Sequence, residues 1–274
     1  PRNFSMEFFP PNTPEGKEKL RATATELALL RPKFFSVTFG AGGSTRERTL
    51  DAVLDIRKLG YAAAPHISCV ASTRENIREW LRLYKESGIR HLVALRGDLP
   101  SGIAAAGEFH FANELVEFIR REFGDTFHIE VAAYPEFHPQ ARSAQDDLAN
   151  FKRKVEAGAD SALTQYFYNA DAYYRFIDDC EKAGIAIPIV PGIMPIGRFS
   201  QLARFSDACG AEIPRWMRKK LEGYGDDSDS IREFGLDVVT ALCEDLLKNG
   251  APGLHFFTLN QAALTKAIWQ RLHL

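Results

Sequence analysis

The stretch His91-Leu-Val-Ala-Leu95, followed by Arg96-Gly-Asp-Leu-Pro100, decides how this chain is read. The first five residues are a short apolar run of the kind that forms a buried strand. Where the strand ends, an arginine, a glycine and an aspartate stand together. Such a tip can hold a phosphate, let a ligand approach the backbone and set one carboxylate against a reacting ring.

The same rhythm repeats outward from this stretch. Strand-like runs lie at Phe4–Phe9, Phe34–Phe39, Ala62–Cys69, His91–Leu95, His128–Tyr134, Ser161–Tyr166, Ile187–Pro191 and Gly253–Phe257. Helical patterns fall between them, near Glu15–Leu30, Thr45–Leu59, Thr73–Ser87, Ala112–Phe123, Ser143–Ala157, Asn169–Ala183 and Gln201–Cys209. A last helix is expected near Asn260–His273. The segment Ile213–Asn249 is long for one crossover and should hold two helices, split near Gly223–Asp227. Alternating strands and helices make a parallel sheet. Eight such units predict a closed (β/α)8 TIM barrel rather than an open doubly wound sheet, with extra helices before the last strand. With no linker, low-complexity tract or internal repeat, residues 1–274 are expected to form one catalytic barrel domain.

Composition narrows the function classes. The 274 residues are 45% hydrophobic and 26% charged, ordinary for a globular protein, and 34 basic against 36 acidic residues leave a net charge of -2. That balance suggests neither nucleic acid nor a membrane surface as partner. Cys69, Cys180, Cys209 and Cys243 form no CxxC pair and no zinc spacing; without a signal peptide or long apolar span they read as free thiols in the cytoplasm. The chain starts at Pro1 rather than a methionine, so a few preceding residues are expected.

In a barrel, chemistry sits at the C-terminal strand ends and the loops that follow. Read in order, those ends carry Glu7; Thr38 with Gly40-Ala-Gly-Gly43; His66; Arg96-Gly97-Asp98; Tyr134 with Glu136 and His138; and Gln165, while the last unit ends at Thr258-Leu-Asn260. Glu7, inside an apolar strand, is costly to bury ionised. It should be paired, or neutral with a raised pKa as a general acid is; the plain alternative is a buried salt bridge. Gly40–Ser44 lacks both the GxGxxG spacing and a GKS ending, so it is either a loop that admits a planar ligand or a simple turn. His66 is a strand-end ligand or a satisfied core histidine. The seven histidines form no HxH or HExxH pair, and no metal site is expected. On the helix after Tyr134, Asp147, Asn150 and Lys154 recur at i, i+3 and i+7 and share a face. An acid for ribose hydroxyls beside a cation for pyrophosphate suits a dinucleotide; a solvated face is the alternative. Gln165 suits an amide-bearing ring such as a pterin or nicotinamide, or simply caps a loop.

Met6-Glu-Phe-Phe-Pro-Pro11, Val37-Thr-Phe-Gly-Ala41, Ala64-Pro-His66, Ala94-Leu-Arg-Gly-Asp-Leu-Pro100, Ala132-Ala-Tyr-Pro-Glu136, Thr164-Gln165 and Pro191-Gly-Ile-Met-Pro195 together resemble bacterial 5,10-methylenetetrahydrofolate reductase, in order, from residue 4 to about residue 260. The resemblance implies a (β/α)8 barrel that binds FAD non-covalently. It implies reduction of methylenetetrahydrofolate to 5-methyltetrahydrofolate with NADH or NADPH, NADH being favoured because the long C-terminal regulatory region of eukaryotic relatives is missing. By resemblance, Glu7 is the general acid and Asp98 the aspartate beside flavin and folate. Thr38, Phe39, Ala41, His66, Arg96, Gly97, Asp98, Ala112, Tyr134, His138, Ala141, Asp147, Asn150, Arg153 and Lys154 fall at FAD-contact positions. Gln165 and Gln201 match folate contacts, and Thr38 and Gln165 also match nicotinamide contacts. Phe39 stands where relatives often carry Tyr, and Gln261, a substrate-side position, where some carry Arg. Relatives are often homodimers or homotetramers.

The implied chemistry is a ping-pong relay: hydride from the nicotinamide to flavin N5, then to the folate methylene once Glu7 has protonated N10. Asp98 would disfavour an anionic reduced flavin and support the developing folate cation. A flavin-free lyase is the weaker reading, because no strand end offers a Schiff-base lysine. A folate-binding methyltransferase lacks a zinc cluster, and a non-catalytic barrel would need no general acid.

Overall fold

Every parallel strand bonds to two neighbours only if the sheet closes on itself, and the chain achieves this around one proline. The computed structural model describes residues 1–40, 45–97 and 107–274. The strands are β1 Asn3–Phe8, β2 Phe34–Val37, β3 Ala63–Ser68, β4 His91–Leu95, β5 His128–Ala133, β6 Ser161–Thr164, β7 Ile189–Val190, β8 Gly192–Ile193 and β9 Gly253–Phe257. All pairings are parallel, in the order β7-β6-β5-β4-β3-β2-β1-β9-β8. β7 and β8 flank Pro191, so the segment that begins the ladder also ends it. Before the proline, Pro188 O accepts from Ala162 N of β6; after it, Pro191 O accepts from His255 N of β9, each at 2.9 Å.

The seventh expected strand, Ile187–Pro191, is therefore shifted and broken. Pro191 has no N–H for the ladder, and the pairing hand-over falls on Gly192. Gly192 N donates to Thr164 Oγ1 at 2.9 Å, and a Cβ there would meet Thr164 O at 2.2 Å. The other strands match their expected positions, but most stop one or two residues early, where the chain peels away to form the loops above the barrel.

The helices are α1 Pro14–Ala28, α2 Thr45–Lys58, α3 Arg74–Glu86, α4 Ala112–Phe123, α5 Ala144–Ala157, α6 Ala170–Lys182, α7 Phe199–Cys209, α8 Arg215–Gly223, α9 Ser228–Lys248 and α10 Ala263–Arg271. Side-chain caps explain several starts. Thr13, Thr73, Ser143, Asn169 and Asp227 each accept from a backbone N–H in the first turn that follows. The long segment splits where expected, α8 ending at Gly223 and α9 starting at Ser228.

Alternation along the strands creates two environments. One set of residues, including Met6, Phe8, Phe35, Ile67, Leu92, Ile129, Leu254 and Phe256, packs outward against the helices. The other set faces the barrel interior, where Val93, Leu163 and Val190 form a small apolar group with Leu95 beside them. Phe34 and Phe257 stand on the same face against His91 and His255, and the polar side chains there include Ser5, Glu7, Ser36, His66 and Glu130.

The seam also has a side-chain lock. Asn260 Oδ1 accepts from Phe9 N and its Nδ2 donates to Phe9 O, both at 3.0 Å, while Thr258 Oγ1 donates to Glu7 O at 2.6 Å. Thr258 and Asn260, read from the sequence as strand-end groups, tie the last unit to β1. No helix among the described residues is long and apolar enough to cross a membrane.

Gly192→Ala should destabilise the fold by about 1–3 kcal/mol, because the added methyl must displace the β6 backbone. Urea unfolding of the variant against the parent chain measures the loss.

Candidate active site

Glu7 lies near the C-terminal end of β1, and its side chain points into the barrel. Strand alternation places Ser5 and Glu7 on that face, and the register sets them beside His255 and Phe257 of β9. His255 Nε2 is 3.4 Å from Glu7 Oε1, and His255 Nδ1 is 2.7 Å from Ser5 Oγ. From the other side Ser36 Oγ donates to the same Oε1 at 3.4 Å, and His66 Nε2 lies 3.2 Å away. Four strands thus converge on one carboxylate oxygen. Burial pushes the Glu7 carboxyl up, but the His255 hydrogen bond and the closeness of His66 outweigh it, and the pKa falls to about 2.

Of the two states expected for Glu7, the structure shows the paired one. It also resolves His66, which sits within β3 rather than at its tip and acts on Glu7. His255 and Ser5 were not singled out from the sequence. Their only signal was a histidine and a serine at inward positions of apolar strands.

A cavity of about 300 Å3 lies where β4 and β5 end, lined by Ala94 and Leu95 of β4 and by none of Glu7, Ser36, His66 and His255. The expected cofactor residues Arg96, Gly97, Ala112, Tyr134, His138, Ala141, Asp147, Asn150 and Lys154 all line it, joined by Phe111, Asn113, Ala132 and Gln140. They come from four consecutive pieces of the fold: the tip of β4, the start of α4, the loop after β5 and one face of α5.

Each piece is held in place. Gly97 has φ +84°, and a Cβ there would fall 1.9 Å from Ser68 Oγ, so only glycine lets the chain pass. Arg96 Nη2 donates to Gln140 Oε1 at 2.8 Å, linking the β4 tip to the β5 loop. Glu114 Oε2 accepts from His110 N and Phe111 N ahead of α4. That leaves Ala112 and Asn113 at a helix N-terminus, where N–H groups favour an anion. His138 N donates to Asp147 Oδ2 at 3.2 Å, and His138 Nδ1 accepts from Gln140 N at 3.0 Å. The neutral ring therefore carries its proton on Nε2.

On the shared face of α5, Asp147 is buried, Lys154 half-buried and Asn150 exposed, and all three line the cavity. Asp147 is 8% exposed, and burial raises its carboxyl pKa against the pull of the His138 backbone and Lys154. Lys154 Nζ donates to Ala132 O and lies 5.7 Å from the centre of the Tyr134 ring. Burial lowers its pKa to about 8, with Asp147 pulling the other way.

Other expected residues lie apart. Arg153 does not line the cavity; its Nη1 donates to Asn150 Oδ1 at 2.6 Å and steadies that side chain. Thr38 and Phe39 follow β2, where Thr38 O accepts from Thr49 Oγ1 and the Arg46 guanidinium lies 5.5 Å from the Phe39 ring centre. Gln165 follows β6 and borders a narrow cleft with Tyr134, Glu136 and Tyr166; its own Oε1 accepts from Tyr166 N. Gln201 is partly buried on α7, and Gln261 is exposed after β9, its N–H donating to Thr258 O. Ala41 and Asp98 lie outside the described residues. A larger groove of about 730 Å3, lined by α6, α8 and α9 and containing Trp216 and Phe234, holds none of the expected residues.

A family model described as methylenetetrahydrofolate reductase matches residues 1–273. The chain belongs to the methylenetetrahydrofolate reductase family. The chain is 43% identical over 271 residues to the 5,10-methylenetetrahydrofolate reductase of Escherichia coli (strain K12), covering 98% of this chain and 90% of that protein. A reductase of the same name from Buchnera aphidicola (subsp. Schizaphis graminum) is 40% identical over 265 residues, 96% of this chain and 89% of its own length. Among solved structures, an uncharacterized Clostridium thermocellum protein described as binding two copies of 5-methyl-5,6,7,8-tetrahydrofolic acid superposes with a TM-score of 0.68 at 17% identity, over 99% of this chain and 94% of that one. That likeness supports the barrel alone.

Removing His255 should weaken the acid response of this family member. In the parent chain Glu7 is depressed to about 2. Its stabilising share is complete above the unfolded value of about 4.3 and fades as pH falls toward 2. In His255→Leu one of the two histidine partners is lost while burial and His66 remain, so the carboxyl rises from its depressed value and that share shrinks. Unfolding free energies measured from pH 3 to pH 7 should show a smaller loss on acidification in the variant than in the parent chain.

Proposed function

We propose that this chain reduces 5,10-methylenetetrahydrofolate to 5-methyltetrahydrofolate with NAD(P)H, using non-covalent FAD. The observation that carries the flavin reading is the single cavity into which the β4 tip, the α4 N-terminus, the β5 loop and the inner face of α5 all project. Its chemistry fits a dinucleotide. Gly97 leaves room for a close approach to the backbone, and Arg96, Lys154 and the first turn of α4 supply donors and positive potential for phosphates. Asp147 and Asn150 supply acceptors for ribose hydroxyls, and Tyr134 supplies a flat aromatic surface. A bound flavin would carry hydride between the nicotinamide and the folate.

In the overall reaction the folate methylene carbon gains a hydride, its bond to N10 breaks and N10 takes a proton. NAD(P)H supplies the electron pair and leaves as NAD(P)+. We assign the proton at N10 to Glu7. Charged in the free protein at neutral pH, Glu7 needs a donor, and His66 and His255 are the histidines in contact with its Oε1. They bring the proton to the carboxylate, and Ser5 and Ser36 hold the cluster in register. Taking folate into this part of the barrel removes water and favours the neutral carboxyl that can donate. Gln165, at the mouth of β6, suits the pterin amide or the nicotinamide, and Thr38 and Gln201 belong to the same substrate side. Gln261 supplies no cation for the folate tail. A homodimer or homotetramer in the cytoplasm, with NADH the preferred donor, completes the reading.

A visible spectrum tests the cofactor directly. The purified protein should be yellow, bleach with NADH or NADPH in the absence of oxygen, and regain colour when methylenetetrahydrofolate is added. A protein that takes up no added FAD would overturn the flavin assignment. Glu7→Gln should keep the bleaching rate within a few-fold and lose folate-dependent recolouring by about 10²–10⁴-fold, the usual worth of a positioned acid. Equal loss of both half-reactions would remove Glu7 from that role.

A further inference from the structure

We propose that His91, His128 and Glu130 form a divalent transition-metal site at the N-terminal mouth of the barrel, opposite the active site, with Zn2+ the ion its donors suit best. His91 is the first residue of β4, His128 the first of β5 and Ser161 the first of β6. The register sets His91 beside His128 and Glu130 beside Ser161. Sequence spacing hides the cluster, since its histidines come from separate strands rather than one HxH or HExxH segment.

The donor geometry is close to a coordination shell. Glu130 Oε1 is 3.1 Å from His91 Nε2 and 3.2 Å from His128 Nε2. Ligands about 2.0–2.1 Å from a tetrahedral ion stand roughly 3.3 Å apart. Two edges of such a tetrahedron are therefore in place, and the three donor atoms all lie within 4.8 Å of one another. Ser161 Oγ, 2.8 Å from His128 Nε2, marks where a fourth ligand or water would sit. Two imidazoles and a carboxylate are a donor set for zinc and its neighbours rather than for magnesium or calcium.

A second observation points to a ligand. Glu130 is 4% exposed, yet its Oε2 has no hydrogen-bond partner among the described residues. A buried carboxylate oxygen without a donor is uncommon, and a cation in this cluster would answer it. The surroundings are built as well. Asp160 Oδ2 lies 4.0 Å from His128 Nδ1 and is itself held by Arg120 and by Ile129 N, so a carboxylate backs the ligating ring. The Phe34 ring packs 4.1 Å from His91, centre to centre, and closes the interior side. The His128 side chain is 46% exposed, which leaves a way in from solvent. A metal here would staple β4 to β5, a stabilising role rather than a catalytic one.

The test uses the full chain, treated with a chelator and then titrated with Co2+ or Zn2+ alone. One equivalent of Co2+ should bind and show the visible ligand-field bands of a tetrahedral nitrogen–oxygen site, and Zn2+ should displace it. Zn2+ should also raise the thermal midpoint. His128→Gln, outside the active site, should lose the bands and the zinc-dependent rise while keeping reductase turnover, and Glu130→Gln should weaken Co2+ binding at least about tenfold. Binding should strengthen as pH rises, since protons compete for the imidazoles. Absence of Co2+ bands with no zinc-dependent rise, or an unchanged zinc effect in His128→Gln, overturns the site and leaves a plain histidine–glutamate ion pair.

Discussion

Closure of the parallel sheet is the constraint on which the rest of the molecule depends. A parallel ladder with open ends leaves backbone donors and acceptors unmatched on two edges. Here the chain around Pro191 serves both edges: Pro188 O bonds to β6 and Pro191 O to β9. The proline withholds a donor, Gly192 gives the room, and Thr164 Oγ1 accepts the amide that the interrupted ladder leaves over. Once the ring is shut, every strand's C-terminal end faces the same way, and the loops above it share one surface.

Closure also creates an interior that the chain does not fill with apolar side chains. Val93, Leu163 and Val190 form a small buried apolar group there, while Glu7 and Glu130 each stand among histidines. Each carboxylate is pushed up by burial and brought down to about 2 by those histidine partners. The two clusters differ in their outlook. Glu7 stands near the C-terminal end of its strand, the end of the barrel from which the cavity-lining loops leave β4 and β5. Glu130 is grouped with the first residues of β4, β5 and β6 at the other mouth. One barrel thus carries two carboxylates among histidines, one toward each mouth.

Much of the site was legible because local sequence carries it. The β4 tip lines the cavity through Arg96 and Gly97, and the i, i+3, i+7 face of α5 enters it through Asp147, Asn150 and Lys154, since helical spacing fixes which residues share a face. Arg153, one step round the helix, stays outside and bonds to Asn150. Strand-end residue type was a weaker guide. Thr258 and Asn260 look like ligand groups, yet their hydrogen bonds go to Glu7 O and the Phe9 backbone. A polar side chain at a barrel rim can serve the seam as well as the site, and only its partners tell which. His255 gave almost no signal, because a lone histidine in an apolar strand has no local pattern to mark it.

The sequence by itself determined the repeating strand and helix units, their order, the break between α8 and α9, and the motifs by which the family is recognised. These follow from periodicity, caps and turn residues, which act over a few positions. Tertiary structure decided where the ring closes, which oxygen of Glu7 meets which histidine, and that His91, His128 and Glu130 meet at all. Those outcomes depend on register between strands far apart in the chain. Register is set by the whole closed sheet, so no single segment contains it.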